Sequence, residues 1–97
     1  MSLKRFQFPL REVNMMTKED IRYFIDLYKN DKKSFDLRYN MENAKSLKGM
    51  TEISYLKSSL DFVLKNINEF VLSVEDISII QNMQNELEYI LDNYIKR

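Results

Sequence analysis

The sequence predicts an all-α protein in which short amphipathic helices precede a long antiparallel helical hairpin or coiled coil. Between residues 53 and 70 the apolar residues alternate at spacings of three and four, as in a coiled-coil contact. We call this set the central stripe, and it consists of Ile53, Leu56, Leu60, Val63, Ile67 and Phe70. A second run with the same spacings follows at Ile80, Met83, Leu87, Ile90 and Tyr94. A single glycine and a single proline in 97 residues leave little material for tight β-turns.

Length and composition bound the class of protein. The chain is predicted to be one helical domain over 1–97, with an irregular or helix-start segment at 1–16, short helices at 17–48 and the hairpin at 51–97. Because cysteine and histidine are absent, thiolate and imidazole metal sites, cysteine nucleophiles and histidine bases are excluded. We therefore expect no catalysis and no cofactor. The apolar segments are short and interrupted by charges, so we expect a cytoplasmic protein without a membrane span.

Local signals predict where the first helices begin and end. Thr17, followed by Asp20, is a helix-start pattern, and an amphipathic helix is expected to run from there to about Asn30. A second helical pattern extends over 34–47, with an apolar stripe at Leu37, Met41, Ala44 and Leu47. That stripe is out of phase with the central stripe. We expect a break or kink at Gly49, with Thr51 as the next cap, while one long helix with two faces remains open.

The last two helices are predicted to form the hairpin. The helix that carries the central stripe is expected over 51–72, roughly 30 Å at ~1.5 Å per residue. Ser73 with the acidic residues Glu75 and Asp76 then starts a helix over 74–96. A link of about three residues would make the two helices antiparallel neighbours. The carboxylates of Glu75 and Asp76 suit helix capping far better than acid–base catalysis.

The two halves of the chain carry opposite charge, although the net charge is zero. Residues 1–50 hold 11 basic and 7 acidic residues, and residues 51–97 hold 4 basic and 8 acidic residues. The halves either differ in task or attract each other. The excess of basic residues in the first half is too small for a free-standing nucleic-acid binder, so solvated helix faces are the preferred interpretation.

The order of these elements resembles the region that follows the winged-helix reader in MerR-family transcription regulators. Residues 10–27 match the order of elements in the family, which is a leucine-arginine-glutamate helix, a methionine-serine/threonine turn and then an aspartate-isoleucine helix. Asn30-Asp31, Arg38 and the central stripe continue the match, which covers roughly residues 10–70. The chain departs from the family at Asn30, which replaces a glycine, by one additional residue before Arg38, and by the extra helix after residue 73.

The resemblance implies a dimerisation and effector-side domain that binds DNA only through a separate N-terminal module. It assigns the central stripe to a homodimer contact, whereas the alternative from the residues alone is an internal core. Tyr55 and Phe62, one heptad apart, could face an apolar organic effector, although packing is the ordinary role of such a pair. The alternative function is a stand-alone helical protein-binding factor of phage, plasmid or immunity type.

Overall fold

A computed structural model describes residues 16–95 of the chain, with side chains for residues 16–93. Within that part there are four α-helices and no strands, which confirms the all-α prediction. The helices are α1 (Lys18–Asn30), α2 (Lys32–Arg38), α3 (Leu47–Lys65) and α4 (Val74–Ile95). Short 3₁₀ turns at Asn43–Lys45 and Ile67–Glu69 lie in the connections before and after α3. The prediction for the segment before Met16 lies outside the described residues.

The first helix begins and ends where the sequence predicts. The Thr17 hydroxyl accepts a hydrogen bond from the backbone N–H of Asp20 at 3.0 Å, and the Asp20 carboxylate accepts the Thr17 N–H at 3.3 Å. This reciprocal pair is a capping box, which satisfies two backbone donors at the start of α1. After Asn30, the Asp31 side chain accepts from the backbone of Ser34 and starts α2. The Asp20 carboxylate is therefore a structural cap.

The prediction of one helix over 34–47 is wrong. Helix α2 ends at Arg38, where the Asn43 amide donates to the backbone carbonyls of Leu37 and Arg38, both at 3.0 Å. Asparagine amides compete for helix carbonyls in this way and so favour turns. The predicted stripe is consequently dispersed: Ala44 is buried, whereas the other three residues are exposed. Those three are Leu37, Met41 and Leu47.

The break predicted at Gly49, with Thr51 as cap, is also wrong. Ser46 caps α3, and its hydroxyl accepts the backbone N–H of Gly49 at 3.0 Å. Gly49 therefore lies inside the first turn of the helix. A Cβ atom built on Gly49 would lie 1.9 Å from the carbonyl oxygen of Asn43. The residue has to be glycine because the 3₁₀ turn of residues 43–45 lies directly against this part of α3.

Helix α3 ends earlier than predicted, and α4 begins where predicted. The backbone N–H of Asn66 donates to the carbonyls of Phe62 and Val63, and its side-chain amide donates to Phe62 at 2.9 Å. These bonds close α3 at Lys65. The link to α4 is thus eight residues long, rather than about three. The backbone N–H of Asp76 donates to the Ser73 hydroxyl at 3.0 Å and the backbone N–H of Ser73 donates to the Asp76 carboxylate at 3.0 Å, which makes a second capping box.

One hydrophobic core joins the four helices. Helix α4 packs against α3, as predicted, and α1 packs against both α2 and α4. The 3₁₀ turn of residues 43–45 contacts α3 and α4. The most deeply buried apolar side chains come from every helix: Ile21, Ile25, Phe35, Ile53, Leu56, Leu60, Val63, Ile80, Met83 and Leu87.

We predict that Gly49→Ala destabilises the protein by about 2 kcal/mol or more, because the new methyl group collides with a backbone carbonyl. In an ordinary helix interior the same change stabilises by roughly 0.5–1 kcal/mol. Ser58→Ala, at an exposed position of α3, is the matched control and should change stability by under about 0.5 kcal/mol. Urea denaturation followed by circular dichroism measures both. A stabilised Gly49→Ala protein would contradict the close contact.

Candidate functional site

The central stripe lies inside the single chain. Leu60 and Val63 are fully buried, and Ile53, Leu56 and Phe70 are also buried, while Ile67 is half-buried. The same core contains the apolar run of α4: Ile79, Ile80, Met83, Leu87 and Ile90. The structure thus uses the stripe as internal core, which is the alternative interpretation of its spacing. The buried members of the stripe have no surface left for a second copy.

Tyr55 and Phe62, the candidate effector residues, are both half-buried on α3. The Phe62 ring stands edge-on to the ring of Phe70, with centroids 6.4 Å apart, and it packs against the core. A shallow open depression occurs elsewhere, on α4, with the lining residues Asn85, Glu86, Tyr89 and Ile90. The structure therefore does not place Tyr55 or Phe62 in this depression. Their effector-facing role stays a prediction.

The basic first half and the acidic second half of the chain are joined by ion pairs. Arg22 of α1 donates two hydrogen bonds to Asp76 of α4, at 3.2 and 2.7 Å. Farther along the same two helices, the Tyr28 hydroxyl donates to Glu86 at 2.5 Å. Two further pairs between the same halves are Lys29–Glu75 at 3.3 Å and Lys32–Glu86 at 3.1 Å. The opposite charges of the halves therefore attract each other within one molecule.

These contacts shift the pKa values of Asp76 and Tyr28, among other groups. The Arg22 hydrogen bond, with a smaller contribution from the backbone of Ser73, lowers the pKa of Asp76 to about 2. Partial burial, followed by the hydrogen bond to the Glu86 carboxylate, raises the pKa of Tyr28 to about 12. Asp76 is thus charged and Tyr28 neutral over the whole physiological range. Both groups serve helix docking, and neither is poised as an acid or base near neutral pH.

The described part of the chain contains little that points to chemistry. Among residues 16–95, no group of three or more acidic, histidine or cysteine residues could hold a metal ion. No described helix is both long and apolar enough to cross a bilayer. Every buried side-chain nitrogen or oxygen in this part has a hydrogen-bond partner.

Two surface regions were missed by the sequence analysis. The first, which we call the basic patch, lies on α2 and at the start of α3. It consists of Lys33, Leu37, Leu47 and Lys48. The second, which we call the acidic face, lies on α4. It consists of Glu88, Tyr89 and Asp92.

The spacing on α2 was the available signal for the basic patch. Lys33 and Leu37 each lie two residues from Phe35, and a residue two positions away falls on the opposite side of a helix from it. The misassigned helix over 34–47 hid this pattern.

Compared with known proteins, the chain matches no protein-family model, no curated protein and no solved structure. The resemblance to MerR-family regulators therefore rests on the residues of this sequence, chiefly those of the 10–27 segment. Of that segment, residues 16–27 belong to the described part of the chain.

Substitution of the central stripe distinguishes a core from a dimer contact. We predict that Leu60→Asp costs about 4 kcal/mol or more and unfolds the chain, because it buries a charge. Ile67→Asp, at a half-buried position of the same stripe, should cost under about 2 kcal/mol. Thermal melts by circular dichroism, together with sedimentation, measure the two variants. A folded, monomeric Leu60→Asp protein beside a dimeric wild type would assign the stripe to the dimer contact.

The Arg22–Asp76 pair makes the stability of the fold depend on pH in the acidic range. The folded-state pKa of Asp76, about 2, lies below its ordinary value of 3.8, so the folded state binds fewer protons between these values. The stabilisation is therefore complete above about pH 4 and is lost as the pH falls through 2. We predict that Asp76→Asn lowers stability at pH 7 by about 1–2 kcal/mol, a figure discounted because Arg22 is half-exposed.

Denaturation at several pH values measures this effect, and Asp76→Asn should have a flatter profile between pH 4 and 2. Glu75→Gln removes the neighbouring, exposed pair with Lys29 and is the matched control, with an expected loss of under about 0.5 kcal/mol. Equal losses of stability in the two variants at pH 7 would show that the Arg22 hydrogen bonds stabilise the fold no more than the exposed Lys29–Glu75 pair does.

Proposed function

We propose that this chain is an association domain without catalysis, of the kind found on the effector side of MerR-like transcription regulators. In this role it joins two copies of itself, while a separate module contacts DNA. The observation that carries the proposal is the start of α1. Met16 is buried, Thr17 caps the helix together with Asp20, and Ile21 enters the core. The part of the resemblance that the structure describes thus forms a capped helix start, which supports the proposal.

The proposal differs from the family in one respect. The long helix of the family pairs with its twofold mate, whereas the central stripe of α3 is covered by this chain's own helices. A second copy therefore has to bind to another surface. An apolar organic effector beside Tyr55 and Phe62 remains part of the proposal, because both rings keep some exposed surface.

A second candidate function is a stand-alone helical protein-binding factor. It is favoured by apolar side chains that remain almost fully exposed in the single chain, since such residues, when clustered, mark contacts with other proteins. The most exposed of them are Leu47, Val71 and Val74, at 84%, 84% and 85%. The genomic sequence upstream of codon 1 separates the two candidates. An open frame that encodes a helix-turn-helix supports the regulator, and a ribosome-binding site at Met1 supports the stand-alone factor.

A fusion tests the association function directly. We predict that a helix-turn-helix reader that recognises its operator only as a dimer will gain operator binding when it is fused ahead of residue 1. The gain should be about tenfold or more, because linking two readers raises their effective concentration on the operator. Gel shifts and a repression reporter in cells measure it.

The controls are the reader alone and a fusion that carries Phe35→Asp, which should unfold the domain by placing a charge at a fully buried site. The 97-residue chain by itself should bind no DNA sequence specifically near physiological salt, because the excess of basic residues in its first half is small. A folded fusion that binds the operator no better than the reader alone would refute association.

A further inference from the structure

We infer that two copies of this chain associate through the basic patch of each copy and the acidic face of the other, in a closed twofold dimer. This inference rests on the proposed association function and names the surface that performs it. The inferred dimer contact therefore consists of exposed residues of α2, the start of α3 and α4, and it does not include the central stripe.

The first half of the basic patch lies on the outer side of α2. Phe35 is fully buried and marks the inner side of this helix. Lys33 and Leu37 are both two residues away from it, so they fall on the opposite side, one turn apart. Leu37 is 69% exposed, and Lys33 has no ion-pair partner among the described residues. A leucine and a free cation are therefore presented side by side.

The second half of the patch is the start of α3. Leu47 is 84% exposed, and Lys48 beside it has no ion-pair partner in residues 16–93. The Asn43 amide holds the end of α2 through the carbonyls of Leu37 and Arg38. The same turn lies directly against the first turn of α3, at Gly49. The two halves are therefore parts of one rigid unit.

The charge of this unit is positive because its carboxylates are already neutralised. Residues 32–48 contain two acidic residues, Asp36 and Glu42. Asp36 is bound by Lys32 at 2.9 Å, and Glu42 is bound by Lys45 at 3.3 Å. Neither carboxylate therefore neutralises the lysines of the basic patch, which have no ion-pair partner among the described residues.

The acidic face has the complementary composition. Glu88 and Asp92 are four residues apart on α4, both exposed, and neither has a basic partner among the described residues. Tyr89 lies between them in the sequence and is 64% exposed. Tyr89 also lines the shallow, mostly apolar depression on α4, together with Ile90. Carboxylates next to an exposed tyrosine are thus complementary in charge to lysines next to exposed leucines.

Helices α2 and α4, which carry the first half of the basic patch and the acidic face, are in contact within one molecule. Lys32, which precedes the first lysine of the basic patch, lies 3.1 Å from Glu86, which lines the depression. When two complementary surfaces adjoin, a twofold axis can bring each onto its counterpart in a second copy, and the assembly closes as a dimer. The zero net charge means that no overall repulsion opposes this approach.

A second copy is favoured over other occupants for the basic patch. The chain itself carries the complement, whereas a membrane surface requires a longer amphipathic element. Helix α2 has seven residues, or roughly 10 Å at ~1.5 Å per residue, with Leu37 as its one exposed large apolar side chain. It has too little apolar area to anchor in lipid headgroups.

Charge reversal on each side provides the test, because the four charged positions are exposed and their substitution should leave the fold intact. One variant carries Lys33→Glu and Lys48→Glu, and the other carries Glu88→Lys and Asp92→Lys. Analytical ultracentrifugation at about 0.1 M salt should show a dimeric wild type, with the dimer dissociation constant raised at least about tenfold in each variant alone. An equimolar mixture of the two variants should dimerise again, because both contacts are then complementary.

The matched control is Lys18→Glu with Lys65→Glu, which makes the same charge change at exposed positions outside the patch and should remain dimeric. A dimer that neither variant weakens, or a mixture that stays monomeric, would overturn this interface but leave the association function in place. A wild type that is monomeric at several hundred micromolar, with an inactive reader fusion, would overturn both. Binding of a monomeric wild type to phosphatidylserine vesicles would assign the patch to membranes instead.

Discussion

The fold depends on burial of the central stripe of α3 against α4 within a single chain. Leu60, Val63, Met83 and Leu87 lose all contact with water at this contact. Each side chain of this kind contributes about 1.5–3 kcal/mol when it is buried. A domain of this length buries proportionally little surface, so it cannot leave such a stripe exposed and stay folded. Helices α1 and α2 complete the core, with Phe35 fully enclosed.

Polar contacts determine how α1 is placed on α4, which apolar contacts alone do not. The hydrophobic effect is non-directional, and it leaves several ways to place α1 on the surface of α4. The two hydrogen bonds from Arg22 to Asp76 and the hydrogen bond from Tyr28 to Glu86 select one of them. Asp76 also belongs to the capping box at the start of α4, because its backbone N–H donates to the Ser73 hydroxyl and its carboxylate accepts from the backbone N–H of Ser73. Asp76 therefore takes part both in the start of α4 and in the contact between α4 and α1.

The consequence for function is that the charges fall into two groups. Those at the contacts of α1 and α2 with α4 form ion pairs within the molecule, and those of the basic patch and the acidic face have no ion-pair partner among the described residues. We propose that a second copy recognises the charges of the basic patch and the acidic face, together with the exposed side chains of Leu37, Leu47 and Tyr89.

The sequence by itself determined the all-α class, both ends of α1, the start of α4 and the stripes that form the core. These follow from local interactions, because a capping side chain such as Thr17 or Ser73 bonds to a backbone group three residues away. The apolar spacing does not reveal the ends of α2 and α3, where the side-chain amides of Asn43 and Asn66 bond to nearby helix carbonyls. The tertiary structure decided that residue 49 has to be glycine, because a turn packs against it. Whether an apolar stripe faces its own chain or a second copy depends on what covers it, and periodicity is the same in both cases.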